Sequence, residues 1–238
     1  MKTSLFAAVT MTLLLQAWSG RTATIVMTGS DGFGATSFNT GLNWSNGQPP
    51  AGGNAYQTAA YLLRTPANTA DIAFAGDSLE IQNGGILRDK TAAAVTIANL
   101  ILADGSTIEI TQPNNVNNAT ASGSLAGAIT LNGTAYLHAG IASDLPGETF
   151  IVQSTIGGTG GFTTAGSTGN VILSGTNSYA GGTTVNAGTL LINGVLVNSP
   201  VTITSGILGG TGVIKSPVTC QVGGTLQPGL GGTDTSTL

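Results

Sequence analysis

The residues able to do chemistry are few and scattered. The chain holds one histidine, His138, and one cysteine, Cys220. Nucleophilic catalysis of the Ser/His/Asp kind needs a histidine set beside the nucleophile and fixed by a further group. TAYLHAG, the setting of His138, offers no such motif, so His138 reads as an outward or rim residue of a strand. Metal ions need clustered His, Cys, Asp or Glu, and these two residues each stand alone; no metal or other cofactor is expected. The densest group of charges is Arg64, Asp71, Asp77, Glu80, Arg88, Asp89 and Lys90. Cations and carboxylates on neighbouring turns of a chain could cleave or eliminate an acidic polysaccharide, but the simpler reading is a set of solvent-facing charges that support solubility. Trp44 and Tyr56 offer aromatic faces for a sugar, or they pack as core. GLGGTD near the end lacks the nonapeptide calcium pattern GGxGxDxUx. The GGTG turns at Gly157 and Gly209 lack the Lys-Ser/Thr and the following helix of a phosphate loop. No residue is assigned a catalytic, cofactor-binding or metal-binding role.

What positions these residues follows from composition. Of 238 residues, 41% are hydrophobic and only 7% charged, and 37 are glycine. Few charges with many Gly, Thr, Asn, Ser and β-branched residues predict many short strands and tight turns, and almost no helix after the leader. That leader is MKTSLFAAVTMTLLLQAWSGRTA: a cation at Lys2, an apolar run from Leu5 to Leu15, then small and polar residues. It has the layout of a secretory signal peptide with cleavage between Ala17 and Ala23, and the run is too short for the roughly 20 apolar residues of a membrane span. The mature chain is expected outside the inner membrane with no transmembrane helix. A single cysteine excludes an intrachain disulfide framework. The net charge of −4 becomes −6 once Lys2 and Arg21 leave, which offers nothing to nucleic acid.

Internal repeats dominate the second half. TTVNAGTLL from Thr183, VTITSGILG from Val201 and VTCQVGGTL from Val218 align, with Gly188, Gly206 and Gly224 spaced by 18 and 18, as are Leu190, Leu208 and Leu226. Val185, Ile203 and Cys220 follow at 18 and 17, which predicts a buried, small apolar role for Cys220. A period of 17 to 18 is too short for helical repeats or propeller blades and suits one coil of a β-helix. In VTIT the apolar Val201 and Ile203 alternate with Thr202 and Thr204, so one face goes inward and the threonines go to water. The same grammar continues upstream with looser spacing in SLEIQNGGIL from Ser78, VTIANLILADGSTIEI from Val95, ITLNGTAYL from Ile129 and ETFIVQSTIGG from Glu148, and PNNVNN from Pro113 to Asn118 reads as a loop. Phe33, Phe38, Trp44, Tyr56 and Tyr61 gather before residue 70, where an atypical segment is expected to cap the end of the solenoid.

The stretch GGTGGFTTAGSTGNVILSGTNSYAGGTTVNAGTLLING, Gly157 to Gly194, resembles the autotransporter-associated β-strand repeat, also called the passenger-associated transport repeat. The residues that carry the resemblance are Ser174, Gly175, Asn177, Tyr179, Gly181, Gly182, Thr183, Thr184, Val185, Ala187, Gly188, Thr189 and Leu190. The resemblance implies an all-β, right-handed parallel β-helix, a single-stranded solenoid displayed on or released from the surface of a Gram-negative cell. It implies a repeat that assists passage across the outer membrane, and no catalytic residues. The expected organisation is a signal peptide at 1–23, an aromatic-rich cap at 24–70, irregular coils at 71–155 and repeat coils at 156–238. A membrane barrel needs at least eight strands of about ten residues, and no room is left for one after GLGGTDTSTL, so the passenger is expected to be truncated or fragmentary, or anchored by another route. The expected function is a non-catalytic surface passenger with structural, display and adhesive roles, with extracellular glycans and end-to-end self-association through the last coil as its expected contacts. The alternative is a polysaccharide-active or glycan-binding β-helix.

Overall fold

Alternating apolar and polar residues, broken by turns into coils of 17 to 31 residues, leave the chain one way to bury its apolar rows, which is to wind and stack. The computed structural model describes residues 23–32, 37–67, 70–111, 122–140, 147–165 and 169–229. All of the signal-like leader but Ala23, together with Phe33 and the PNNVNN loop, lies outside them. Among the described residues the only helical element is the 3-10 turn Gly41–Asn43, and no helix is long and apolar enough to cross a membrane.

The strands fall into three stacks, and all strand pairs within them are parallel. The first face has twelve strands. Its main path runs from Ala23–Val26 through Asn54–Gln57, Ser78–Ile81, Ala94–Leu102, Ser122–Leu131, Thr149–Val152, Asn170–Leu173, Thr189–Ile192 and Ile207–Gly210 to Thr225–Pro228. The second face has eight, in chain order Leu62–Arg64, Ile86–Asp89, Thr107–Ile110, Ala135–Ala139, Phe162–Thr164, Thr183–Val185, Val201–Ile203 and Val218–Cys220. A third face of three strands, Thr176–Asn177, Val195–Leu196 and Val213–Ile214, is added in the repeat coils. This is a parallel β-solenoid, and its coils begin inside the aromatic segment, since Asn54–Gln57 and Leu62–Arg64 are already ladder strands.

Matching inward positions form vertical rows. Leu190 pairs with Leu208 and Leu208 with Leu226, as the spacing of 18 requires. On the second face Leu63, Leu87, Ile108, Leu137, Thr164, Val185, Ile203 and Cys220 stand in one register column. All but the last are buried. Burying each such aliphatic chain gains roughly 2 kcal/mol, while ordering each residue costs about 1–2 kcal/mol. A coil therefore persists only between neighbours, the one-dimensional logic of solenoids. Cys220 departs from expectation. It occupies the inward register position, yet it is exposed, because no described coil stacks above the strand that carries it.

The first coils hold an aromatic cluster. Trp44 and Tyr56 meet edge to face at 4.8 Å, Tyr56 and Phe74 at 5.2 Å, and Phe38 and Phe74 at 5.4 Å. The segment leading into it covers the lower strand edge. Asp31 and Phe38 donate backbone N–H bonds to the Leu62 and Arg64 carbonyls at 2.7 and 2.8 Å, and the Trp44 indole donates to the Phe38 carbonyl at 3.0 Å.

Candidate functional site: a charged ladder and the repeat corner

Stacking gathers what the sequence scatters. Arg64 pairs in register with Arg88, Arg88 with Glu109, and Glu109 with His138, so four consecutive coils of the second face place these side chains one above another. All four alternate with inward residues and therefore project from the outer face. Arg88 Nε donates to Glu109 Oε1 at 2.5 Å, and His138 Nδ1 lies 4.0 Å from Glu109 Oε2. At the foot of the ladder Asp31 accepts from the Arg64 backbone N–H at 3.0 Å through its carboxylate, and the Arg64 guanidinium donates to the Asp31 carbonyl.

The expectation of solvent-facing charges is corrected for three members of the predicted group. Arg64, Asp89 and Lys90 are buried. Asp71 and Asp77 are exposed and Glu80 half-buried, as expected of surface charges. Asp71 and Asp77 accept backbone N–H bonds, from Ala94 and Gly53 respectively. Burial, and then the neighbouring cation Arg88, pushes the Arg64 guanidinium down. Burial also lowers Lys90, with Arg64 and Arg88 adding to it. His138 falls below the usual imidazole value because burial outweighs the pull of Glu109. It is the outward strand residue that the sequence predicts, and its neutral form is the one favoured. Glu109, which joins the two halves of the ladder, is missing from the sequence-level group because it is 21 residues from Arg88 and sits in an unremarkable strand.

Asp89 belongs to the interior instead. Its carboxylate faces a small cavity lined by Thr65, Leu87, Val95, Ile108, Leu125 and Phe150. Oδ1 accepts from Thr65 Oγ1 at 3.1 Å and from the Thr91 N–H at 3.0 Å, while Oδ2 has no hydrogen-bond partner among the described residues. Burial raises its pKa to about 6 against the opposing hydrogen bonds. A carboxyl whose folded value lies above its unfolded value contributes stability that is complete below the unfolded value, near 4, and is lost as pH rises through about 6. Stability is therefore expected to fall by on the order of 2–3 kcal/mol between pH 4 and pH 7 in urea titrations, and Asp89→Asn to flatten that slope. An unchanged slope in the variant assigns the pH dependence elsewhere.

Trp44 and Tyr56 are each 1% exposed. They pack as core and present no face to a sugar. Among the described residues no group of three or more His, Cys, Asp or Glu is placed to hold a metal ion.

The residues of the repeat motif make corners. Asn177 is wholly buried; its side chain donates to the Gly175 carbonyl at 3.1 Å and accepts from the Ile156 N–H at 3.3 Å, stitching adjacent coils. The Tyr179 hydroxyl, Thr183 Oγ1 and Ser199 Oγ form a buried chain at 2.6 and 2.7 Å, and burial raises the Tyr179 phenol. Gly175, Gly194 and Gly212 stack at the corner before the third face. A Cβ on Gly194 would fall 2.0 Å from the Gly175 carbonyl oxygen, and one on Gly212 equally near that of Gly194.

The fold and this corner chemistry define a repetitive parallel β-solenoid whose motif residues serve coil stacking. Residues 162–192 match the family described as Passenger-associated-transport-repeat. The chain is also similar to an adhesin of Brucella suis biovar 1 (strain 1330), titled "Adhesin BmaC autotransporter", at 44% identity over 80 residues, which are 32% of this chain. The match spans only 2% of that relative's length. No solved structure matches. Residues 162–192 thus carry a repeat of the kind found in autotransporter passengers.

Proposed function

We propose that the chain is a non-catalytic segment of a surface passenger, a stalk whose coils display contact surfaces and whose Gly/Thr-rich repeat assists export across the outer membrane. The observation that carries this reading is the in-register stack of Leu190, Leu208 and Leu226, running through and beyond the matched repeat. Such a stack has neighbour-by-neighbour stability, so it can order progressively as it emerges from the cell. The adhesin title of the relative supports an adhesive role, and extracellular glycans are the partner class that the reading favours. The boundaries that go with it are a leader at 1–23, a cap at 24–70, irregular coils at 71–155 and repeat coils at 156–238.

Self-association through the last described coil is part of the proposal. Val213, Val218, Val222 and Leu226 are exposed there, and a cleft of about 250 Å³ opens between Ile192, Leu208, Ile214 and Leu226. Among the described residues no strand pairs with the outer edges of Val218–Cys220 and Thr225–Pro228, and edges of this kind template further pairing.

The test is display. Joined to a translocator barrel in a Gram-negative host, the full chain is expected to become accessible to added protease on intact cells and to raise adhesion. Deletion of residues 162–192 is expected to reduce both. Equal retention of both forms in the periplasm sinks the passenger reading. The polysaccharide-active alternative has one observation on its side, the cations and carboxylate stacked on neighbouring coils. Turnover of an acidic polysaccharide, lost on changing Arg64, Asp77 or Arg88, establishes that alternative in place of the non-catalytic reading.

A further inference from the structure

The second face changes character along its length. Beside the charged ladder runs another outward column, in register from coil to coil: Thr107, Tyr136, Thr163, Thr184, Thr202 and Thr219. The coil spacing of about 4.8 Å separates successive members, so Tyr136 to Thr219 spans about 19 Å along the solenoid axis. The hydroxyls of Thr163, Thr184, Thr202 and Thr219 make no hydrogen bond among the described residues, unlike the inward Thr164 and Thr183, which are both bonded. Tyr136 follows Thr107 in the column and precedes these four threonines; it is 38% exposed, with the His138 ring tilted against it at 6.4 Å. Gly182, Pro200 and Pro217, two residues before successive threonines, are exposed and short, so on that side no bulky side chain among the described residues shields the row.

Charge selects the partner. Between residues 149 and 229 the only charged side chain is Lys215, and it follows the third-face strand Val213–Ile214 rather than lying on this column. The hydroxyl row therefore offers no attraction to a polyanion and no penalty to an uncharged chain. Unused donors and acceptors at a fixed repeat, headed by an amphipathic ring, complement a partner that also repeats hydroxyls along an extended axis. We propose that this column is a contact track for an extended neutral polysaccharide lying parallel to the solenoid axis, with Tyr136 stacking on one sugar and the threonines hydrogen-bonding to those that follow. The proposal rests on the adhesive passenger reading and names its partner class.

The experiment measures retention of the full secreted chain on insoluble cellulose, chitin and xylan, with soluble polygalacturonate as the acidic counterpart. Binding to at least one neutral polymer is expected, insensitive to added salt because no ion pair is involved. The combined variant T184V, T202V and T219V keeps the β-branched shape on an outward face, so its circular dichroism and Tm should match the parent. Its affinity should fall at least about tenfold through loss of three hydrogen bonds, and Tyr136→Ala should weaken binding independently. Absence of retention on every neutral polymer, equal binding by the triple variant, or salt-sensitive binding confined to polygalacturonate each overturns the track. Adhesion by cells displaying the chain is scored alongside. Adhesion without polymer retention sinks the track and leaves the passenger reading standing, whereas failure of display sinks the passenger reading itself.

Discussion

Gly194→Val is expected to lower Tm by about 6–12 °C, from a cost of about 3 kcal/mol for overpacking in a chain of this size. The reason lies in the neighbouring coil. A Cβ on Gly194 would sit 2.0 Å from the Gly175 carbonyl oxygen and 2.6 Å from that of Ser174. The closer of the two cannot move cheaply, because the Gly175 carbonyl accepts the Val195 N–H at 3.1 Å, and the Gly194 carbonyl in turn accepts the Val213 N–H at 3.0 Å. Relief means separating two coils, and in a solenoid that exposes the apolar rows on both sides of the gap. Gly182→Ala is the control. The nearest atom to a Cβ placed there, the Pro200 carbonyl oxygen, is 3.8 Å away, and melting within about 1–2 °C of the parent is expected. Thermal melts followed by circular dichroism decide the matter, and equal Tm values for the two variants contradict the close-stacked corner.

Arg88→Met is the second large effect. The Glu109 side chain is 6% exposed and its strongest contact is the 2.5 Å bond from Arg88 Nε. Its other neighbour in the ladder, His138, is held toward the neutral form by burial. Removing the arginine leaves a buried carboxylate without its cation, at a cost of about 3–5 kcal/mol. The pair Arg88→Met with Glu109→Leu should recover most of that loss, since two apolar chains of similar size replace the ions and leave nothing unpaired. Urea unfolding of the two single variants and the double variant measures the coupling. A cost below about 1 kcal/mol for Arg88→Met marks the ladder as an ordinary surface ion pair.

The outcome for the charged residues illustrates how far a linear reading reaches. Asp71 and Asp77 stand exposed, as their polar settings predict. Arg64 and Lys90 do not, and Asp89 points inward because it follows Leu87 by two in a strand whose odd positions face the core. The period-two rule was available from ILRD, but the strand limits needed to apply it were not. Cys220 shows the converse: the repeat placed it correctly in the column above Val185 and Ile203, while its exposure depends on what stacks above it. Phe74 completes the aromatic cluster from beyond the segment where the other rings gather.

By itself the sequence determined the coil. Spacings of 17 and 18, alternation of apolar residues with threonine, and glycine at each turn dictate strands that must stack in parallel, because only stacking buries the Leu190, Leu208 and Leu226 row. The tertiary structure alone decided which side chains meet along the axis. In the upstream coils successive partners are 21 to 31 residues apart, as from Arg88 to Glu109 and from Ala23 to Asn54. Loops of unequal length join them, and lengthening a loop costs little free energy, so chain separation there carries no fixed period. Register is set instead by backbone hydrogen bonds between coils, and those bonds align the ion ladder and the hydroxyl column.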